Sequence, residues 1–169
     1  MSILGIVKYG DPILRTKTQN ITEITDEIKK LAKDMLETMY SAPGVGLAAP
    51  QVGSSLKICV IDVVPNGRKR PFVLINPNII SGDNKIELEE GCLSFPGIFE
   101  PVKRYDIITA EYIDLDGNLN KVEVKGFLAK AFQHEIDHLN GKVFIDYLAA
   151  WKRKNIEKDI KRRKKGGDW

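Results

Sequence analysis

His134 and His138 are the two histidines of the chain, and Glu135 stands beside the first, spelling H-E-x-x-H. On a helix, residues four apart lie on one face, so both imidazoles can reach a single ion. Glu135 falls about 100° around the helix from His134, close enough to move protons of a water at that ion without binding it. Neutral imidazoles holding a divalent metal, with a carboxylate doing acid–base work, describe metal-assisted hydrolysis. Charged helices also carry this spacing with no metal. A catalytic site needs a third protein ligand and an open position for water.

Two downstream solutions fail on the residues. In the metzincin pattern H-E-x-x-H-x-x-G-x-x-H, Gly141 fits, but Phe144 stands where the last histidine belongs. Thermolysin-like enzymes use a later glutamate. Glu157 and Asp159 lie downstream in "KRKNIEKDIKRR", where ion pairs along a solvated helix explain them better. The remaining donor lies upstream. Cys92 sits in "EEGCLSFPG", between Gly91 and Pro96, residues that favour a constrained turn presenting the thiol. A thiolate is a good metal ligand. Cys92, His134 and His138 would make a Cys-His₂ set with water in the fourth position. A buried, inert Cys92 is the other reading, and spacing does not separate the two.

Several elements must position these groups. Helical patterning over Phe127–Leu139, with Gly126 at its start, carries the histidines. Ile28, Leu31, Ala32, Met35, Leu36 and Met39 form an amphipathic stripe over Thr25–Tyr40. Thr25 or Asp26 caps that helix and Pro43-Gly44 ends it. "SAPGVGLAAPQVG", Ser41–Gly53, reads as a loop or irregular extended segment. Leu56–Val64 and Pro71–Pro77 read as strands, with Cys59 a small buried hydrophobe in the first. Asp116-Gly117 between Arg104–Asp114 and Leu119–Lys125 signals a hairpin. Leu148–Lys165 is helical, with Ile156 and Ile160 four apart. The class is α+β: antiparallel or mixed sheets around a central metal-binding helix, with an N-terminal and a C-terminal helix.

A length of 169 residues, 43% hydrophobic and 29% charged, fits one folded domain rather than a disordered chain. No run is long enough to span a bilayer, and the N-terminus makes a poor secretory signal, so a cytoplasmic location is expected. Two cysteines build no disulfide scaffold. The net charge of +3 is unevenly spread: residues 151–169 carry nine Lys/Arg against three Asp/Glu, leaving −3 on residues 1–150. A catalytic domain over 1–150 therefore ends in a basic helical tail over 151–169.

Three segments together, "GVGLAAPQ" (Gly44–Gln51), "EGCLS" (Glu90–Ser94) and "QHEIDHLNG" (Gln133–Gly141), resemble the signature motifs of the peptide deformylases, in the family's order. The resemblance covers the chain to about Tyr147. It implies removal of the formyl group from N-formyl-methionyl nascent chains, with formate released. It places one divalent metal on Cys92, His134 and His138, with Fe²⁺ as the native ion and Ni²⁺, Co²⁺ or Zn²⁺ also accepted. It makes Glu135 the general acid/base. It gives the Leu93 backbone N–H and the Gln51 amide as donors to the developing oxyanion. A zinc endopeptidase of the H-E-x-x-H type is the alternative.

The resemblance also gives Gly44, Val45, Gly46 and Gly91 a role beside an extended substrate, the glycines allowing close backbone approach. Val45, Leu88, Phe127 and Ala131 are candidates for the apolar pocket that takes the methionine side chain. Lys130, four residues before His134, departs from the apolar residue frequent there; its stem would line the pocket while its ammonium reaches water. The basic tail suits phosphate contact, and some bacterial members use their C-terminal helix to contact ribosomal RNA; a solvated terminus is the plainer reading. Neither membrane nor DNA is expected as a partner.

Overall fold

The structure, a computed structural model, describes residues 2–169. Helix α1 (Asp26–Ser41) is followed by five strands: β1 (Gly46–Ala48), β2 (Ile58–Ile61), β3 (Phe72–Cys92), β4 (Phe95–Ile113) and β5 (Leu119–Lys125). Helices α2 (Gly126–Leu139) and α3 (Ala150–Lys165) close the chain. The strands pair in sequence order, each antiparallel to the next. The expected mixed character reduces, among the described residues, to one parallel bridge between Gln19 and Leu56.

The Thr25 hydroxyl accepts from the Ile28 N–H at 3.3 Å, satisfying one of the free donors at the start of α1. Ile28, Ala32, Met35 and Met39 then face inward against Leu47, Ile58, Val60 and Ile75. The other sheet face, carrying Ala48, Cys59, Ile61 and Leu74, packs against Phe132, Ile136 and Leu139 of α2. Strand β2 is thus buried on both faces, which is why "ICVI" is apolar throughout. Each such side chain withdrawn from water contributes about 1.5–3 kcal/mol, so the two helices clamp the sheet between them.

Two stretches differ from expectation. Ser41–Gly53, expected as a loop or an irregular extended segment, holds the short strand β1 and a 3₁₀ turn, Ala49–Val52. Gly and Ala carry little strand preference; pairing of Gly46, Leu47 and Ala48 with Ile61, Val60 and Cys59 makes the strand. Strand β3 runs on far beyond the expected end at Pro77, through "SGDNK". Those residues are exposed, and their extension comes from the partner strand: Lys85 pairs with Tyr105 and Glu87 with Lys103. The ribbon returns through Leu93-Ser94, with a register shift at Gly91/Cys92. The Asp116-Gly117 hairpin forms as expected. Gly117 takes φ 83°, and the Asp114 carboxylate accepts from the Asp116 and Asn118 N–H groups.

Helix α3 is docked, not frayed. Ile156 and Ile160 bury against Phe95, Val102 and Phe144. Arg163 donates to the Pro96 carbonyl at 2.9 Å, and the Trp169 indole N–H to the Tyr9 carbonyl at 2.9 Å. No described helix is long and apolar enough to cross a membrane.

Candidate metal centre

Helix α2 delivers His134, Glu135 and His138 into the protein, at 8%, 4% and 1% exposure. The β3–β4 hairpin delivers Cys92 from the side. One donor atom each from Cys92, His134 and His138 lies within 4.8 Å of the others. Cys92 Sγ is 3.4 Å from His138 Nε2. The Cys92 thiol thus stands beside both imidazoles and is only partly buried, unlike an inert core thiol. Cys59 is, with a fully buried side chain whose pKa burial pushes well up.

The next layer fixes the tautomer of His134. Its Nδ1 lies 2.7 Å from Glu90 Oε1. Arg104 grips that carboxylate with two bonds, Nε to Oε2 at 2.7 Å and Nη2 to Oε1 at 3.0 Å. A carboxylate so held can only accept, so Nδ1 carries a proton and Nε2 is left facing the cluster, the nitrogen a metal would bind. Arg104 also donates to Asp137 at 2.6 Å, and Tyr147 donates to the same Asp137 oxygen at 2.7 Å. Burial opposes ionisation of Glu90, but the bonds from His134 and Arg104 prevail and hold its pKa at about 2. Glu90 stands inside "EGCLS" beside the ligand. Arg104 and Asp137 carry no local signal, and sequence reasoning missed their role.

Replacing Arg104 by Leu would leave the buried Glu90, and the partly buried Asp137, without their cation, a loss of about 3–5 kcal/mol. At about 2–4 °C per kcal/mol for a domain of this size, thermal unfolding should fall by roughly 10 °C. A wild-type melting temperature in R104L would show that the ion pair is solvated.

Burial raises the Glu135 pKa to about 7. Its Oε2 is 3.9 Å from His134 Nε2, while Oε1 is buried without a hydrogen-bond partner. Burial also drives the His138 pKa well below its ordinary value, favouring the neutral ring a metal needs. Burial opposes charge on His134 too, but Glu135, Cys92 and Glu90 outweigh it and draw positive charge into the site. Soft thiolate and imidazole donors, anionic surroundings and a bare carboxylate oxygen fit a divalent transition metal.

Gln51 reaches the cluster from the 3₁₀ turn after β1. Its Oε1 accepts from the Ala48 N–H at 2.9 Å, which turns Nε2 toward Ser94 Oγ at 3.1 Å and Cys92 Sγ at 3.5 Å. Ser94 in turn donates to the Val7 carbonyl at 2.6 Å. Leu93 sits in the hairpin turn beside the cleft.

A cleft of about 680 Å³ opens beside these groups, lined by Gly44, Val45, Gly46, Gly91, Leu93, Phe127, Lys130 and Ala131 among others. Leu88 is not part of it. It lies farther along β3, on the strand face shared with Glu90 and Cys92, and pairs with Val102. The glycines have a reason the sequence did not show. A Cβ on Gly46 would lie 2.7 Å from Glu135 Cδ, and one on Gly44 would lie 2.8 Å from Leu93 Cδ1. Lys130 also differs from expectation. Its residue is 8% exposed, and its ammonium, rather than standing free in solvent, donates to the Glu89 carbonyl at 3.1 Å in the cleft wall.

The model of the family described as polypeptide deformylase matches residues 3–154. The chain belongs to that family. It is 63% identical over 169 residues to a peptide deformylase of Endomicrobium trichonymphae, covering 100% of both chains. It is 49% identical over 165 residues to one from Nitrosococcus oceani, covering 98% of each. The crystal structure of a peptide deformylase from Legionella pneumophila superposes with TM-score 0.90 at 40% identity, over 97% of this chain and 96% of that one. That of Ehrlichia chaffeensis in complex with actinonin gives TM-score 0.90 at 39% identity, over 96% and 98%. Membership of the deformylase family removes the endopeptidase reading.

Proposed function

We propose that the chain hydrolyses the formyl group from N-formyl-methionyl peptides of nascent chains, releasing formate. The observation that carries this is the convergence of Cys92, His134 and His138 beside a buried, unpartnered Glu135 oxygen, at one end of an apolar cleft. Cys92 and the two histidines would hold one divalent ion, which when bound makes a water acidic enough to act near neutral pH.

The chain's own groups do the rest. Strand β1 is an edge of the sheet, so a peptide can lie extended against Val45 and Gly46. Val45, Leu93, Phe127 and Ala131 receive the methionine side chain. Glu135 takes the proton of the attacking water and returns it to the leaving amine. Gln51 Nε2 and the Leu93 N–H donate to the carbonyl oxygen as negative charge builds on it. The Oε1 bond from Ala48 holds the Gln51 amide ready for this.

The test is formate release from formyl-Met-Ala-Ser, assayed anaerobically with Fe²⁺ or Ni²⁺, with Glu135→Ala as control. No formate would refute the reading, and cleavage of an internal peptide bond would revive the endopeptidase alternative. The family resemblance supports Fe²⁺ as the native ion, which metal analysis of anaerobically purified protein would check.

The basic tail is assigned to ribosomal RNA, with residues 1–150 carrying the chemistry in the cytoplasm. Ile156 and Ile160 dock one face of α3, while Lys154, Lys158, Lys161 and Lys165 remain exposed. Changing these four to Gln should weaken ribosome pelleting and flatten its salt dependence, because fewer counterions are released. Equal, salt-insensitive pelleting would remove the assignment.

A further inference from the structure

Among the described residues lining the cleft, Lys130 is the one Lys or Arg. Its stem lies in the wall beside Ala131 and Phe127. Its ammonium donates to the Glu89 carbonyl at 3.1 Å and stands 4.2 Å from the centroid of the Phe127 ring. An ammonium has three donors. Glu89 takes one, and the ring face attracts the charge without using a lone pair. Donor capacity therefore remains for whatever occupies the cleft.

That changes what the pocket selects. A wholly apolar pocket rejects a side chain ending in oxygen, because the oxygen loses its water and gains no partner. A buried ammonium in the wall offers a charge-assisted hydrogen bond to the same oxygen. Methionine sulfoxide keeps the length of methionine and ends in a strong S=O acceptor where the thioether has a weak one.

We propose that Lys130 is a specificity-determining residue that lets the cleft take N-formyl peptides beginning with methionine sulfoxide as well as methionine. The inference rests on the deformylase reading above. The bonds that change are the same for both substrates. The C–N bond of the formamide breaks, the water oxygen joins the formyl carbon to give formate, and the proton goes to the released amine. The sulfur is neither oxidised nor reduced.

The experiment measures kcat/KM of the metal-loaded enzyme for formyl-Met-Ala-Ser, its sulfoxide and its norleucine analogue. Wild type, Lys130→Met and Lys130→Arg are compared, with thermal unfolding run on each. In K130M the preference for methionine over sulfoxide should rise about tenfold or more, the loss expected for one charge-assisted bond. The methionine-to-norleucine ratio should move less than about threefold, since neither side chain ends in a strong acceptor. K130R, which keeps a cationic donor, should hold the sulfoxide ratio within about threefold of wild type. A sulfoxide ratio equal in wild type and folded K130M would overturn the proposal. So would a wild-type sulfoxide reaction weaker than the methionine one by about a thousandfold, a test that needs no variant to fold. No formate from any of the three substrates would overturn the parent reading, and this one with it. Formate from formyl-Met-Ala-Ser alone would overturn only this one.

Discussion

Glu135→Gln should lower kcat for formate release by about 10²–10⁴-fold, the usual contribution of a positioned acid/base. It should do so without emptying the metal site, because Glu135 is not one of the three clustered donors. Gln keeps the shape and removes the proton carrier. Loss of bound metal in E135Q would count against this division of labour. The same substitution makes a second, independent prediction. Burial raises the Glu135 pKa in the folded protein to about 7, against an ordinary 4.5. A raised pKa means that the folded state binds this proton more tightly than the unfolded one. The stabilisation is complete below pH 4.5 and is lost as pH rises through 7. Above that, ionised Glu135 costs the metal-free protein about 3 kcal/mol relative to a neutral group. Chelated E135Q should therefore match wild type in thermal stability near pH 4 and exceed it at pH 8. An equal difference at both values would mean that Glu135 ionises freely in the fold. Since the base must be ionised to work, turnover should fall on the acid side of a pH profile.

Cys92→Ala should abolish stoichiometric metal and lower formate release by at least about 100-fold, more than loss of a residue that only orients a ligand. Two imidazoles on one helix face then remain, one donor short of a catalytic set. The readout that separates ligand loss from general damage is metal-dependent stability. Saturating metal at about 100 times its Kd should stabilise the wild type by about 2.7 kcal/mol and leave C92A almost unmoved. Full metal content in C92A, with a wild-type melting shift, would show that the third donor lies elsewhere.

The two predictions draw on different kinds of information. The pair His134 and His138 is legible because a helix converts a spacing of four into one face, which needs no knowledge of the rest of the fold. The helices are legible for the same reason: their apolar periodicity is local, and Thr25 caps α1 as its residue type suggests. Cys92 is a different matter. It sits 46 residues from His138, and no periodicity links a hairpin turn to a helix. Failure of the downstream donors and the turn residues Gly91 and Pro96 made it a candidate, and the resemblance of three segments to a known family chose it over a buried, inert thiol.

What the sequence by itself determined is the chemistry available: two imidazoles, one thiol, one carboxylate, and the α+β class that would carry them. The tertiary structure decided how that chemistry is tuned. Strand β4 brings Arg104 across to Glu90, and Glu90 fixes the His134 tautomer. Packing of β1 against α2 leaves Gly46 no room for a side chain beside Glu135 and strips that carboxylate of water. It also set the Lys130 ammonium against the Glu89 carbonyl and the Phe127 ring in the cleft wall. Local spacing fixes which residues share a face of one element. Desolvation, register and long-range ion pairs arise only when separate elements meet, so the pKa of Glu135 and the occupants of the cleft belong to the fold.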